Sequence, residues 1–259
     1  MSHKMNEKVT IAILAKDKEH ILPYYLRCIE EQTYPSEQIN LYIRTNNNTD
    51  HTAHALENWI ESVQGRYGEI YFNASDVAEP IEKFAPHEWN GLRFKILGGI
   101  RQDSIKWALQ RDSHYFVVDC DNFVAPETLE KLYQTGKPVI APFLINADQP
   151  NLLYSNFHAA TDERGYFKEN ELYYQLFYQK IKGTYEVDVV HCTYFIRNDI
   201  LEYVQYLDGS GRHEYVIFSD GLRKQNIPQY LDNRKLYGKI TFANHEGEFN
   251  RNNFSEFIK

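Results

Sequence analysis

Apolar positions follow two distinct spacings along the first part of the chain. Residues 8–15 are almost continuously apolar, as expected for a strand that is buried on both faces. Residues 39–44 and 69–72 repeat this pattern, whereas apolar side chains recur at helical spacing over residues 19–32 and 53–63. The order strand, helix, strand, helix, strand predicts a doubly wound parallel sheet with right-handed connections.

The middle of the chain predicts a further set of elements. Residues 73–90 mix prolines, charges and small side chains, a pattern typical of a long surface loop. A helix over 91–110 then leads to an apolar strand at 114–118, and a helix over 126–133 leads to a short strand at 138–142. These elements extend the sheet beyond its first three strands.

The second half of the chain has a different pattern. Apolar and aromatic runs at residues 152–158, 166–168 and 186–197 predict strands separated by polar loops, which indicates an antiparallel or mixed extension of the sheet. The remaining predictions are helices from about residue 198 and over 214–224, and strands at 226–231 and 239–243. The predicted fold class is therefore α/β, with a single Rossmann-like mixed sheet flanked by helices.

Composition limits the classes of protein and of partner. The chain has 259 residues, 42% of them hydrophobic, and shows no repeats or low-complexity linkers, so a single domain over residues 1–259 is predicted. The net charge of -8 and a pI near 5.7 argue against nonspecific binding to nucleic acid or to anionic membranes. The apolar run at 9–15 is too short for a signal peptide or a membrane span, so a cytoplasmic location without a transmembrane segment is expected.

Two aspartates, Asp119 and Asp121, directly follow the apolar strand at 114–118. Side chains at i and i+2 of an extended chain share one face, so both carboxylates can meet at one point. Carboxylate oxygens suit Mn²⁺ or Mg²⁺, and open α/β sheets bind ligands at the carboxyl ends of their strands. An isolated D-x-D pattern arises by chance in many chains, and it is the position at a strand end that favours a metal site here. His245, just beyond the last predicted strand, is a candidate third ligand, although a lone histidine there is as often a surface residue.

An ordered series of short motifs covers nearly the whole chain. The most distinctive are Tyr-Ser-Asn-Phe at 154–157 and Val-His-Cys-Thr at 190–193, which follow the aspartate pair. In this order the chain resembles the N-terminal glycosyltransferase domain of the procollagen (hydroxylysine) galactosyltransferases and, more distantly, the glycosyltransferase domain of the lysyl hydroxylases. The other matching segments are residues 9–16, 101–102, 115–122, 139–142, 165–168 and 219–220.

The resemblance implies a GT-A nucleotide-diphospho-sugar transferase fold, a UDP-sugar donor, dependence on Mn²⁺ (or Mg²⁺), and transfer of a hexose, with galactose as the expected sugar, to hydroxylysine of collagen-like polypeptides. The metal would stabilise the charge that develops on the leaving diphosphate. Carried onto this chain, the resemblance implies Ala15, Thr45 and Asn46 at the nucleoside, Arg101 beside the diphosphate or holding the aspartates, Asp119 at the donor and the metal, Asp121 and His245 at the metal, Asn156 and His191 in the sugar pocket, and Asp220 as the base on the acceptor side.

The chain also departs from this family. Asp220 occupies the position of an acidic pair, but its neighbour here is Gly221. The collagen-modifying enzymes carry a signal peptide, a second transferase domain and a retention signal for the endoplasmic reticulum, so the lumen of that compartment is the expected location if this chain is a trimmed family member. These departures from the family leave both the acceptor and the location open.

Two other functions are compatible with the pattern, and a third is disfavoured. The aspartate pair specifies a metal and a diphosphate but not a sugar, so a glucosyl or other hexosyl transferase acting on a different glycan, lipid or protein acceptor is one alternative. A domain that binds sugar nucleotides without catalysis is a second. A glycoside hydrolase is disfavoured, because its two carboxylates must stand on either side of the scissile bond, and positions i and i+2 are too close for that.

Overall fold

The structure, a computed structural model, describes residues 6–78, 90–149 and 151–258. The predicted loop at 73–90 lies largely outside these residues. The described helices are α1 (Leu22–Glu30), α2 (Thr52–Ser62), α3 (Gly91–Leu109), α4 (Thr128–Gln134), α5 (Glu171–Phe177) and α6 (Glu214–Lys224). The strands are β1 (Val9–Ala15), β2 (Ile39–Thr45), β3 (Ile70–Asn73), β4 (His114–Val118), β5 (Asn122–Val124), β6 (Val139–Pro142), β7 (Leu144–Asn146), β8 (Phe157–His158), β9 (Thr184–Val187), β10 (Val189–Val190), β11 (Thr193–Ile196), β12 (Gln229–Asp232) and β13 (Gly238–Ile240).

The main sheet has eight strands in the order β3-β2-β1-β4-β11-β6-β12-β9. The first four are parallel, which confirms the doubly wound half predicted from the alternating strands and helices. β11 is antiparallel to both of its neighbours, β12 is parallel to β6, and β9 is antiparallel to β12. The predicted α/β class is confirmed, with a large central mixed sheet flanked by helices.

The sheet separates two apolar cores. Helices α1, α2 and α4 contribute to the core on one face, and α3, α5 and α6 contribute to the core on the other. Along β4, Phe116 and Val118 belong to the first core, while Tyr115 and Val117 belong to the second. A strand buried on both faces leaves little room for polar positions, which is why the buried residues 115–118 of β4 are Tyr, Phe, Val and Val. Among the described helices, none combines the length and the apolar character required to cross a bilayer.

A second, three-stranded sheet lies beyond the end of β4. In it β13 is antiparallel to β5 and parallel to β7. The backbone N–H of Thr241, just after β13, donates to the carbonyl oxygen of Asp121 at 2.9 Å. The small sheet therefore fixes the backbone at Asp121, while β4 of the main sheet leads into Asp119. A two-stranded antiparallel pair, β8 and β10, completes the strands of the described residues.

Several predictions for the second half of the chain are wrong in detail. Of the strand predicted at 152–158 only β8 forms, and residues 166–168 contribute just an isolated bridge between Thr161 and Phe167. Residues 171–177 form α5, which the pattern did not predict, and Asn198–Tyr203 is a 3-10 helix. These segments owe their conformation to packing against distant parts of the chain, which outweighs local propensity.

Candidate active site

Asp119 and Asp121 lie in a tight turn between β4 and β5. β4 ends at Val118, and the backbone N–H of Asn122 donates to the carbonyl oxygen of Asp119 at 2.9 Å. The expectation that an extended strand carries both side chains is therefore wrong, and a turn brings them near each other instead. The charge of Asp121 helps to raise the pKa of Asp119, so the two carboxylates are close enough to repel each other.

Arg101 of α3 connects Asp119 to a second buried carboxylate. Its Nη2 donates to Asp119 Oδ1 at 2.8 Å, and its Nε lies 3.6 Å from Oε1 of Glu214, the first residue of α6. Both Arg101 and Glu214 are 5% exposed. Burial raises the pKa of Glu214 and of Asp119 above their usual values, although the guanidinium opposes this rise in both cases. The buried guanidinium of Arg101 thus forms ion pairs with two carboxylates.

Lys18 provides a second cation at the same edge of the sheet. Its Nζ lies 3.3 Å from Oδ2 of Asp121. Burial opposes the charge on this amine, but the charge of Asp121 helps raise its pKa above the usual value, so the amine stays protonated. The backbone N–H of Lys18 donates to Thr52 Oγ1 at 2.7 Å, which ties the loop after β1 to the start of α2.

Ala15, Thr45 and Asn46 lie together at the ends of β1 and β2. Ala15 is the register partner of Thr45, and all three residues are buried. The Thr45 hydroxyl accepts a hydrogen bond of 2.6 Å from Asn48 Nδ2. Because β1 pairs in parallel with both β2 and β4, these residues share the sheet edge at which Asp119 follows β4.

A cavity of about 220 Å³ adjoins this edge. Arg101, Asp119 and Glu214 line it, together with the aromatic and imidazole rings of Tyr154, His191, His213 and Tyr215. Three polar atoms of the ion cluster are buried here without a hydrogen-bond partner, namely Nε and Nη1 of Arg101 and Oε2 of Glu214. Buried polar groups in proteins are nearly always satisfied, so unsatisfied atoms in a cavity indicate a place for polar groups of a ligand.

Cys192 lines the cavity and has an unusual backbone conformation. Its φ of 62° lies in the left-handed region that side chains other than glycine rarely adopt. Its carbonyl oxygen accepts from the backbone N–H of Asp119 at 3.0 Å, and its Sγ lies 2.9 Å from Nδ1 of His191. Burial lowers the pKa of His191 well below its usual value, so this ring is neutral. Strained residues of this kind concentrate at functional sites.

The structure places Asn156 within the framework and outside the cavity lining. Its Nδ2 donates to the carbonyl oxygens of Pro142 and Thr193 at 2.8 and 3.2 Å, and its Oδ1 accepts from the N–H of Leu144 at 3.1 Å. Its polar atoms are thereby used to join β6, β7 and β11. His191, the other residue expected in a sugar pocket, does line the cavity.

Asp220 lies further along α6, in a cluster of cations. Its carboxylate is 3.0 Å from Arg212 Nη2, 2.9 Å from Lys224 Nζ and 3.6 Å from Arg223 Nη2. Burial opposes ionisation, but hydrogen bonds from Lys224 and Arg212 lower the pKa of Asp220. The cavity lining within the described residues includes Glu214 and not Asp220.

His245 is mostly exposed, and its Nε2 lies 3.2 Å from Oε1 of Glu248. Within residues 6–78, 90–149 and 151–258, no three His, Cys, Asp or Glu side chains form a group that could hold a metal ion. The structure therefore does not bring His245 together with Asp119 and Asp121 as a ready set of three ligands.

The pair of aspartates still suits a divalent cation. Two hard oxygen ligands that repel each other favour a cation between them, and burial of Asp119 makes a second negative charge nearby more costly. With two protein carboxylates, the remaining ligands would come from a diphosphate or from water, as is common for Mg²⁺. The donor chemistry of this edge therefore fits the metal that the resemblance implies.

Lys18 and Glu214 were missed by reasoning from the sequence. The run of alternating charges at 16–18 signalled only the end of a strand, and a glutamate at a helix start is usually a solvated residue. The available signal for Glu214 was its position at the start of an apolar-rich segment, between His213 and Tyr215. That signal becomes specific only when α6 is known to lie against α3.

Comparisons with known proteins agree with this architecture. A chain from Homo sapiens named procollagen galactosyltransferase 2 is 29% identical over 242 residues, which cover 90% of this chain and 38% of that protein. Procollagen galactosyltransferase 1 of Danio rerio is 27% identical over 241 residues, covering 89% of this chain and 39% of that protein. The chain thus spans about two fifths of the length of these relatives.

Solved structures show the same fold at low identity. S. aureus TarS 1–349 in complex with UDP has a TM-score of 0.54 and 15% identity, covering 91% of this chain and 61% of that one. The mannosyltransferase PcManGT from Pyrobaculum calidifontis in complex with GDP-Man and Mn²⁺ has a TM-score of 0.52 and 13% identity, covering 92% and 57%. These likenesses confirm the expected GT-A type of fold. The model of the family described as "Glycosyltransferase family 25, N-terminal domain" matches residues 6–259, and the chain belongs to this family.

Proposed function

We propose that this chain is a metal-dependent glycosyltransferase that moves galactose from UDP-galactose to a hydroxyl acceptor, hydroxylysine of a collagen-like polypeptide. The observation that carries the proposal is the aspartate pair at the carboxyl end of β4, beside a cavity with unsatisfied polar atoms. The names of the two galactosyltransferase relatives support the sugar and the acceptor, and the UDP and Mn²⁺ in the titles of the two solved structures support the donor and the metal.

The residues of the sheet edge have separate tasks in this proposal. Asp119 and Asp121 would hold the cation, which when bound supplies positive charge that stabilises the leaving diphosphate. Lys18 adds a protonated amine 3.3 Å from Asp121, and so increases the positive charge available to phosphate oxygens. The ends of β1 and β2, with Ala15 and Thr45, provide a surface for the nucleoside next to this charge.

The cavity wall suits a hexose. Tyr154 and Tyr215 line it, and an aromatic ring can pack against the apolar face of a pyranose. Nη1 of Arg101 and Oε2 of Glu214 offer an unused donor and an unused acceptor for sugar or acceptor hydroxyls. A cavity that combines such rings with a few polar groups binds a sugar in one orientation and excludes water from the reacting carbon.

The first experiment measures cleavage of UDP-galactose, UDP-glucose and other sugar nucleotides by the purified chain, with Mn²⁺ and with a chelator. Metal-dependent cleavage of UDP-galactose above the others is expected. Selective cleavage of UDP-glucose would replace galactose by glucose and keep the transferase. No cleavage with or without a hydroxylysine peptide, together with UDP binding in a titration, would favour a non-catalytic domain that binds sugar nucleotides.

Asp121→Asn tests the metal site directly. Replacing one carboxylate removes a charged ligand, so we expect Mn²⁺-dependent turnover to fall on the order of 100-fold or more, with an unchanged thermal unfolding midpoint. The matched control is Asp112→Asn, an exposed aspartate in the turn that precedes β4, which should retain full activity. An Asp121→Asn enzyme as active as the control would remove Asp121 from the metal site.

A further inference from the structure

Two buried side chains of opposite charge share the cavity and leave atoms unused. Arg101 Nη1 and Glu214 Oε2 are each buried without a hydrogen-bond partner, in residues that are 5% exposed. A carboxylate in such a place loses the stabilisation of water and gains none from protein at that oxygen. A hydroxyl group of a bound substrate that donates to Glu214 Oε2 would satisfy it.

The position of Glu214 relative to Asp119 gives this oxygen a role. Both carboxylates lie on the same guanidinium, Asp119 at 2.8 Å from Nη2 and Glu214 at 3.6 Å from Nε of Arg101. Asp119 belongs to the edge that would hold the metal and the diphosphate, whereas Glu214 is the first residue of α6, and both residues line the cavity. The cavity therefore contains one carboxylate for the metal edge and a second carboxylate that is available to an acceptor hydroxyl.

We propose that Glu214 is the general base of the transfer reaction, in an inference that rests on the proposed function. The Glu214 carboxylate accepts the proton of the acceptor hydroxyl as that oxygen forms a bond to C1 of the sugar. The bond between C1 and the diphosphate oxygen breaks, and its electron pair leaves with UDP. The products are the glycoside, UDP and a protonated Glu214, which then releases its proton to water. Transfer of this kind inverts the configuration at C1.

Other groups near the cavity are less suited to this step. The imidazoles of His191 and His213 also line it, but burial lowers the pKa of both, to about 4 for His213, so neither accepts a proton readily. Burial has the opposite effect on Glu214, raising its pKa towards the range in which a carboxylate is an efficient base. Asp220 lies among three cations outside the cavity lining of the described residues.

The test compares the Glu214→Gln variant with the wild-type chain, using UDP-galactose, Mn²⁺ and a synthetic hydroxylysine peptide. Glutamine keeps the size and an amide oxygen beside Arg101 but cannot take up the proton. We expect kcat to fall at least about 100-fold, while KM for UDP-galactose and the affinity for UDP change less than about threefold. The matched control is Glu171→Gln, which changes the exposed first residue of α5 and should leave kcat as in the wild type.

Each outcome separates the inference from the proposed function. A wild-type chain without transfer or donor cleavage would remove both. An active wild type with Glu214→Gln within about fivefold of its kcat would overturn the base and keep the transferase, and a loss in Asp220→Asn instead would assign the base to Asp220. Parallel losses of kcat and of UDP affinity in Glu214→Gln would show that Glu214 only positions Arg101. Partial rescue of a Glu214→Ala variant by added formate would support the base even if that variant is less stable.

Discussion

Three imidazoles and the ring of Tyr215 form a continuous row of ring contacts beside the cavity. The centroid of His191 is 5.3 Å from that of His158 and 5.0 Å from that of Tyr215, which in turn is 5.2 Å from His213. Burial lowers the pKa of His158 and of His213 to about 4. At neutral pH this wall is therefore uncharged, which suits a sugar and avoids repulsion with Arg101.

The buried imidazole of His158 predicts a loss of stability in mild acid. The unfolded chain has an ordinary imidazole, which gains a proton below about pH 6.5, whereas the folded one stays neutral until about pH 4. The unfolded state thus binds more protons in this window, so stability falls as the pH falls through it. His158→Gln should reduce the loss of unfolding free energy between pH 7 and pH 5 by on the order of 1 to 2 kcal/mol.

Urea denaturation at both pH values measures this difference. The matched control is His54→Gln, since the His54 side chain is 70% exposed on α2. That variant should show the same pH dependence as the wild type. Equal dependence in His158→Gln and the wild type would mean that the ring is protonated, or free to reach water, in the folded protein.

Individual site residues differ in how far the sequence reveals them. Asp119 and Asp121 could be found, because a strand and the residues after it are adjacent in the chain. Asp220 and Glu214 show the limit of this reasoning. They lie on one helix, but six residues at 100° each place them on different faces, and only the packing of α6 against α3 decides which face meets Arg101.

At the scale of elements, the aspartate turn is held between two sheets. β4 belongs to the large sheet, while β5 pairs with β13 in the small one. Gly238 begins β13 at a place where the strands approach closely. A Cβ at this position would collide with the carbonyl oxygen of Phe123 and lie 2.7 Å from Cδ2 of Leu144. The small sheet therefore requires glycine here, since no side chain fits.

Gly238→Ala should destabilise the protein and disturb the proposed metal site together. Forcing a methyl group into this contact costs about 1 to 3 kcal/mol, and the shift of β13 reaches Asp121 through the bond from Thr241. We expect a lower unfolding midpoint and weaker activation by Mn²⁺. Gly221→Ala is the control, because a Cβ at this position in α6 meets no atom within 4 Å, and alanine should stabilise the helix by about 0.5 to 1 kcal/mol. Unchanged Mn²⁺ activation in Gly238→Ala would show that the small sheet does not position the site.

The success of element prediction follows the length and the regularity of the elements. β1 and β2 each have seven residues, of which six and seven are buried, and α3 has nineteen residues, so each is long enough to be recognised. β8 and β10 have two residues each, too few to show any periodicity. α5 carries three aromatic residues in seven, a composition that favours strands locally and is overruled by burial of Tyr173 and Leu176. The first half was therefore predictable and the second half only in outline.

At the scale of the whole molecule, both ends of the described chain enter one core. Val9 near the beginning and Phe254 near the end belong to the same buried cluster, which also contains residues of α1, α2 and α4. The ring of Phe254 lies 4.9 Å from that of Phe123 and 5.3 Å from that of Phe249. The sheet of the first half and the final segment should therefore unfold together.

Phe254→Ala should lower the free energy of unfolding by about 3 to 5 kcal/mol, because it opens a cavity in this shared core. Tryptophan fluorescence, to which Trp59 of α2 contributes, and far-ultraviolet circular dichroism should report a single shifted transition. Phe167→Ala removes a ring that is 44% exposed and should cost much less. Two separate transitions in Phe254→Ala would mean that the final segment folds independently of the sheet.

The antiparallel placement of β11 has a consequence for the order in which the protein matures. β1 pairs with β2 and β2 with β3 through short helical crossovers, whereas β11 comes from far along the chain and inserts between β4 and β6. Thr193 pairs with Val118, so Cys192 and His191 reach the site only with this insertion. During synthesis, a nascent chain in which β11 has not yet been made already contains the two aspartates and the ends of β1 and β2 proposed for the nucleoside. It does not yet have the sugar pocket. The complete cavity is thus a late event in folding, since it also requires α6, which follows β11 in the chain and contributes Glu214 and Tyr215.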